Sequence, residues 1–186
     1  MNKIVKLALI LFLVSAIVAG VLGVTNEITK EPIAQYKLQK TAEAYAAALP
    51  EGVSADATKT ADIGETVDVN GNAVTLKCVT PTSDDSMYVV EASAVGSQGI
   101  ITMAIGVNKA DAVCTGISII SSSETSGLGA EASKPYFKDQ FAGKTSDAVH
   151  IEKQGGEIVA ITGATITSKA VTNSAAAAID YVANMG

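Results

Sequence analysis

The chain contains no arginine and no tryptophan, one histidine (His150) and two cysteines (Cys78 and Cys114). All 13 basic residues are lysines, set against 19 acids, for a formal net charge of −6. A nucleic-acid-binding surface is basic and rich in arginine, so this composition counts against such a partner. Two cysteines cannot by themselves supply a zinc cage or an iron–sulfur ligand set. A hydrolytic triad would have to pass through His150, which lies in no nucleophile-elbow context. Charged residues make up only 17% of the chain and apolar ones 48%. That is enough apolar material for a packed core, which excludes wholesale disorder. A length of 186 residues corresponds to about one domain.

Residues 7–24 form an unbroken apolar run in which Ser15 is the one polar side chain. At ~1.5 Å per residue it makes roughly 27 Å of helix, close to the hydrocarbon thickness of a bilayer. Lys3 and Lys6 precede it, and Thr25-Asn26-Glu27 follows, so the positive-inside rule places the N-terminus in the cytoplasm and the rest outside. A cleaved signal peptide has a shorter apolar region and a small-residue cleavage site. Ala19-Gly20 offers such a site, but the run continues through Val21, Leu22 and Val24, which favours a retained anchor. Beyond Lys3 and Lys6, 11 lysines face 19 acids, a net of −8. Such an acidic external domain is soluble and is not drawn to anionic lipid. In an oxidising compartment Cys78 and Cys114 can pair; buried free thiols are equally compatible with their strand-like surroundings.

The remainder reads as one α+β domain. Residues 33–49 carry Ile33, Tyr36, Ala42, Tyr45, Ala46 and Leu49 near one helical face, and Pro50-Glu51-Gly52 stops the helix. Residues 53–63 read as loop. Residues 66–69 and 73–79 flank Asn70-Gly71, a hairpin signal. Residues 87–95, 100–107 and 112–121 are further strand candidates, so a mainly antiparallel meander is expected. Residues 133–141 suggest a short helix with Pro135 in its first turn. Residues 149–153 and 157–161 suggest two more strands around Gly155-Gly156. Residues 165–185 form an Ala-rich helix with Val171, Ala175, Ala178, Ile179 and Val182 as its buried stripe. The expected organisation is an anchor over 1–25, a connecting helix over 26–52 and the domain over 53–186.

The chemistry concentrates where the expected strand Ile158-Val159-Ala160-Ile161 runs through Thr162-Gly163-Ala164-Thr165 into the last helix. Gly163 permits a tight turn and a close ligand approach. The helix N-terminus presents free N–H groups and partial positive charge, suited to a phosphate. Thr162, Thr165, Thr167 and Ser168 crowd the turn with hydroxyls. An ordinary helix cap made by Thr165 or Thr167 accounts for the same residues.

Thr162-Gly163-Ala164-Thr165, followed by Ile166-Thr167-Ser168, resembles the S/T-G-A-T flavinylation motif of the FMN-binding domain family. That family is shared by the RnfG component of Rnf complexes and the NqrC component of Na+-translocating NADH:quinone reductases. Glu124-Thr125-Ser126-Gly127-Leu128-Gly129 is similar to the family's E-T-P-G-L-G segment. Residues 137–144, ending Gln140-Phe141-Ala142-Gly143-Lys144, resemble its F-x-x-Q-F-x-G-K stretch, and Gly96-Ser97-Gln98-Gly99 stands at its glycine-rich turn. The anchor matches as well, and the short length favours the RnfG side. Two departures stand out: Val159 occupies the position of a frequent Asp six residues before the acceptor, and Ser126 replaces the usual Pro.

The resemblance implies FMN joined through a phosphodiester to Thr165, installed from FAD by a flavin transferase with AMP leaving. Thr162, Gly163, Ala164, Thr167 and Ser168 would surround the phosphate, with Lys144 and Lys169 as candidate cations. Glu124, Thr125, Gly127, Leu128 and Gly129 would border the isoalloxazine. The implied function is electron transfer through FMN in a membrane-bound, ion-translocating ferredoxin:NAD+ oxidoreductase, among polytopic partner subunits. Two alternatives share the sequence features: a standalone anchored flavin carrier, and a cofactor-free anchored scaffold whose T-G-A-T is only a helix cap.

Overall fold

A computed structural model describes residues 3–185, so the first two residues of the expected anchor and Gly186 lie outside the described residues. It divides into two compact units, residues 1–40 and 41–186. The first unit belongs to helix α1 (Lys3–Ala48), which is long and apolar enough to cross a membrane. Its apolar side chains are exposed, as expected of a surface that lipid would cover. Where the apolar run ends, Thr25 and Thr29 donate their hydroxyls back to the carbonyls of Val21 and Thr25, both at 2.8 Å. Pro32 lies inside the helix, which continues past it.

The second unit is built on a five-stranded antiparallel meander in the order β1-β2-β3-β4-β5. The strands are β1 (Ala61–Val69), β2 (Asn72–Pro81), β3 (Met87–Val95), β4 (Ile100–Asn108) and β5 (Val113–Ser121). Asn70 at φ +54° and Gly71 at φ +75° close the first hairpin, both in the left-handed conformation that an Asn-Gly turn supplies. β1 begins at Ala61 rather than at Thr66. Of its first residues only Ile63 is half-buried against the core, and a register shift between Asp62 and Glu65 interrupts the ladder, so the segment carries too short an apolar pattern to read as strand.

Helix α3 (Thr165–Ala183) covers one face of the sheet. Ile101, Met103, Ile105 and Val107 of β4 point to this face, as do Val90, Ala92 and Ala94 of β3. The expected stripe of α3 is buried, but so are Ala170, Thr172, Asn173, Ser174, Ala176 and Ala177. Small side chains let the helix sit close to the sheet and to its neighbours, and Asn173 donates to the Val69 carbonyl at 3.0 Å.

The end of α1 covers part of the opposite face through Ala44, Ala48 and Leu49, against Val89 and Ala104. Ala42 and Ala46, expected on the buried side, are exposed. Gly106 and Gly116 are cross-strand partners, and the Ala48 carbonyl lies over both. Thr115 donates its hydroxyl to that carbonyl at 2.7 Å, which satisfies an orphan acceptor at the helix end.

Two expected strands do not form. Residues 149–161 contain a 3-10 turn (Glu152–Gln154) and one parallel bridge between Ile151 and Ile158. Val149, Ile151 and Ile158 are fully buried, which explains the strand-like pattern. Their backbone bonds are local, from Glu157 N–H to Ala148 and from Ile158 N–H to His150. His150 accordingly lies in this irregular segment and not in a strand. The helix expected over 133–141 contracts to α2 (Pro135–Lys138), preceded by a 3-10 turn (Gly129–Ser133). Phe137 and Phe141 are fully buried and meet edge to face at 5.5 Å.

Cys78 on β2 and Cys114 on β5 are free thiols. Three strand spacings of about 4.8 Å separate them, roughly twice the reach of a disulfide. Burial pushes the Cys114 thiol up to about 12 and also raises that of Cys78.

Candidate functional site

The segment entering α3 turns at Gly163, whose φ of +77° is left-handed and suits glycine. The Ala164 N–H bonds to the Ile161 carbonyl at 3.0 Å and closes the turn. Ser168 locks it from within the helix: its Oγ accepts the Ile161 N–H at 2.9 Å and donates to the Ala164 carbonyl at 2.9 Å. Ala164 holds the cap position and no side chain caps the helix. The hydroxyl cap expected from Thr165 or Thr167 is therefore absent. Ser168 orders the approach to the helix, and Thr167 is engaged elsewhere.

The turn's four hydroxyls have different fates. Thr167 and Ser168 are fully buried. Thr167 donates to Glu124 Oε2. Thr162 and Thr165 are exposed, and among the described residues no hydrogen bond holds the Thr165 hydroxyl. Thr165 stands in the first turn of α3, where backbone N–H groups lack intrahelical acceptors and the helix dipole favours an anion.

Two clefts meet along residues 159–162. One, of about 310 Å³, is lined by Thr162, Gly163 and Thr165 on one side and by Glu152 and Lys153 on the other. The second, of about 580 Å³, runs past Gly127, Glu131, Tyr136 and Gln140 to Thr162. The larger volume lies within the ordinary range for small-molecule sites. Leu128, 44% exposed, places Cδ2 3.1 Å from where a Cβ on Gly163 would stand. The glycine loop and the threonine turn are thus in contact. The exposed apolar side chains of Leu128, Tyr136, Val159 and Ile166 surround the turn.

Val159 was expected inside a strand and is 56% exposed instead. Its backbone is held by the Gln140 side chain, whose Oε1 accepts the Val159 N–H at 2.8 Å and whose amide donates to the Val159 carbonyl at 3.4 Å. A side chain substitutes for the neighbouring strand, and the valine turns outward into the clefts.

The loop of residues 124–129 folds on the Thr125 carbonyl, which accepts the N–H groups of Leu128 and Ala130, each at 3.2 Å. Gly127 adopts φ +75°. Glu124 is half-buried and bonded through both oxygens, to Gln98 N–H at 2.9 Å and to Thr167. It is not the solvated acid that a polar loop position suggests. Gly129 is buried beneath it.

Lys144 pairs with Glu157 and lines neither cleft. Lys153 lines the cleft that holds Thr165, and sequence reasoning does not single it out, nor Gln140 and Val159 as cleft residues. Of the aromatic residues that could line a flavin pocket, Tyr88, Tyr136, Phe137 and Phe141, Tyr136 lines the larger cleft, whereas Phe137 and Phe141 are fully buried. Gln140 had one available signal, its place in the F-x-x-Q-F stretch. Lys153 had none, since an exposed lysine beside Gly155-Gly156 looks like any loop residue. Partial loss of solvent, aided by the neighbouring Glu131 carboxylate, raises the Tyr136 hydroxyl.

Residues 96–180 match the FMN-binding domain family, and residues 1–47 match the RnfG N-terminal region. The chain is 33% identical over 183 residues to the G component of the ion-translocating oxidoreductase complex of Methanosarcina acetivorans, covering 97% of this chain and 95% of that one. It is 35% identical over 192 residues to the G component of the Na+-translocating ferredoxin:NAD+ oxidoreductase complex of Acetobacterium woodii, covering 97% and 92%. The fold resembles that of the C component of the Na+-translocating NADH-quinone reductase of Parabacteroides distasonis, with a TM-score of 0.51 at 20% identity over 82% of this chain and 94% of that one.

Proposed function

Since the chain belongs to the RnfG family of ion-translocating oxidoreductase complexes and carries that family's FMN-binding domain, we propose that it moves electrons through FMN bound covalently at Thr165. The complex would be a membrane-bound ferredoxin:NAD+ oxidoreductase like that of the Acetobacterium relative. Its other subunits would be the partners, and a flavin transferase would mature the chain. The positive-inside argument puts the flavin domain on the outer face.

The observation that carries the proposal is the division of labour among the hydroxyls. Thr167 and Ser168 are buried and bonded within the protein, while Thr165 and Thr162 are exposed at the cleft. Among the described residues no hydrogen bond holds the Thr165 hydroxyl, and of the two exposed threonines it is Thr165 that stands in the first turn of α3. Attachment would replace the Thr165 O–H bond by an O–P bond, with AMP leaving from FAD. The remaining phosphodiester charge suits the N–H groups of the first turn of α3. Lys153 lines the same cleft and is a better-placed cation than Lys144. Lys169, one turn into α3, is half-buried.

The geometry also fits a flat ring system. Gly163 removes the side chain that would separate the turn from Leu128. Tyr136 and Val159 provide apolar walls in the larger cleft, and the Gln140 bracket keeps the segment between the clefts from moving. When bound, FMN supplies one- and two-electron redox chemistry. The chain's own task is to tether it, orient it and shield one face from water.

The test is in-gel flavin fluorescence of denatured protein after co-expression with a flavin transferase. Wild type is expected to retain a fluorescent band, and Thr165→Val to lose it. A dark wild-type band, with the transferase shown active on another substrate, would overturn covalent attachment.

A further inference from the structure

We infer that Glu124 is the positioning residue of this site, a latch that holds the β3–β4 turn, the glycine loop and the first turn of α3 in register. The inference deepens the FMN proposal and rests on it for its functional meaning. Its geometry stands independently.

Each carboxylate oxygen has a different partner. Oε1 accepts the Gln98 N–H at 2.9 Å, in the turn that the Gly96 N–H to Gly99 carbonyl bond closes at 2.8 Å. Oε2 accepts the Thr167 hydroxyl on α3. The residue itself begins the loop that carries Leu128 to Gly163. Three segments distant in sequence therefore converge on one side chain.

Two glycines make room for it. A Cβ on Gly96 would collide with Glu124 Oε1, and one on Gly129 with Oε2 and the Glu124 Cβ. Neither glycine has a positive φ. Close packing, by Glu124 together with Ile101 Cδ1 at Gly96 and Thr167 Oγ1 at Gly129, and not backbone freedom, favours glycine at these two places. The glycine-rich turn, the E-T-S-G-L-G loop and the T-G-A-T-I-T junction thereby become parts of one device.

The latch has a consequence for attachment. By drawing the Thr167 hydroxyl inward, Glu124 removes it from the cleft, so that Thr165 is the hydroxyl of the first turn of α3 presented there, beside Thr162 on the preceding turn. With both oxygens engaged inside the protein, Glu124 acts on the flavin through Leu128 and the α3 turn and not by direct contact.

The test uses the full chain in detergent, produced without and with a flavin transferase. On the flavin-free chain, amide hydrogen exchange is compared for wild type, Glu124→Ala, Glu124→Gln and Thr167→Val. Glu124→Ala is expected to speed exchange about tenfold or more at Gln98, Leu128, Ala130 and Ser168, whose N–H groups are hydrogen-bonded, with β4 unchanged. Glu124→Gln is expected to stay within about threefold of wild type, because its amide oxygen can accept from Gln98 and its NH2 can donate to Thr167 Oγ. Unchanged exchange in Glu124→Ala would overturn the latch. If that variant does not fold, Thr167→Val removes one arm at nearly constant volume. It must then loosen the α3 turn while sparing Gln98, and no loosening overturns the latch as well.

On the flavin-loaded chain, the visible circular dichroism of the covalent flavin should change in Glu124→Ala and be restored in Glu124→Gln. A loss of fold alone would not be rescued in this way. Failure of the FMN proposal would appear as a wild type without flavin but with the predicted exchange pattern. Failure of the latch would appear as a loaded wild type from which Glu124→Ala does not differ.

Discussion

Replacing Gly106 by alanine probes how the end of α1 is seated on the sheet. A Cβ at this position would run into the Ala48 carbonyl oxygen and Thr115 Oγ1, with the carbonyl carbon at 2.9 Å. The first obstacle is backbone and cannot rotate aside. The same change at Gly116, its cross-strand partner, meets the Ala48 carbonyl oxygen at 3.1 Å, a contact that small shifts relieve. Neither glycine has a positive φ, so the comparison is purely steric. Overpacking costs typically 1–3 kcal/mol, and loss of the hydrogen bond from Thr115 to Ala48 adds about 1. Gly106→Ala is therefore expected to cost about 2–4 kcal/mol and Gly116→Ala less than about 1. For a chain of this size that lowers Tm by roughly 4–16 °C in the first case and by less than about 4 °C in the second. The assay is thermal unfolding of the full chain in detergent, followed by circular dichroism in the β-sheet region. A Gly106→Ala protein within about 0.5 kcal/mol of wild type, or a Gly116→Ala protein damaged more than it, would refute this packing.

Two further outcomes follow from the titratable groups. Cys114 is buried with its thiol pushed up to about 12, whereas Cys78 is half-buried and bonded to the Tyr45 hydroxyl at 3.5 Å. Iodoacetamide should modify Cys78 before Cys114 in the native chain, label both after denaturation, and reveal no disulfide without reductant; protection of both by an intramolecular disulfide would contradict the strand order. Asp84 accepts hydrogen bonds from the Thr82 hydroxyl at 2.7 Å and from the Ser86 hydroxyl at 2.9 Å, which lower its carboxyl from 3.8 to about 2. Because the folded value lies below the unfolded one, the stabilisation is complete above the unfolded value and fades as pH falls through 3.8 toward about 2. Asp84→Asn should flatten that part of the acid-unfolding curve, and an unchanged acid limb would show that the turn does not contribute.

The chain's own residues determined the elements whose signals are local. An uninterrupted apolar run makes a helix fit for a bilayer, Asn-Gly makes the first hairpin, and alternating apolar positions separated by turns make the meander. Each of these depends on neighbours a few residues away, so the residues themselves carry the information. The T-G-A-T junction was legible for the same reason: glycine and hydroxyls at a helix start are a local arrangement.

Tertiary structure decided the rest. Buried Val149, Ile151 and Ile158 look like strand residues, but their segment is held by local backbone bonds, and at Val159 the Gln140 side chain takes the place that a strand would have filled. The first part of β1 is legible only in the fold, because it is an edge segment, mostly exposed and broken by a register shift, in which Ile63 is the one residue packed on the core. Lys144, near the motif in resemblance, is drawn to Glu157 by the folding of an irregular segment, while Lys153 arrives at the cleft from that same segment. That the Thr167 hydroxyl is withdrawn from the cleft depends on Glu124, some forty residues earlier in the chain. Composition and short-range periodicity report burial and turn chemistry. They do not report which distant side chain fills a given hydrogen-bonding role, because that partnership exists only once the sheet, the glycine loop and α3 have come together.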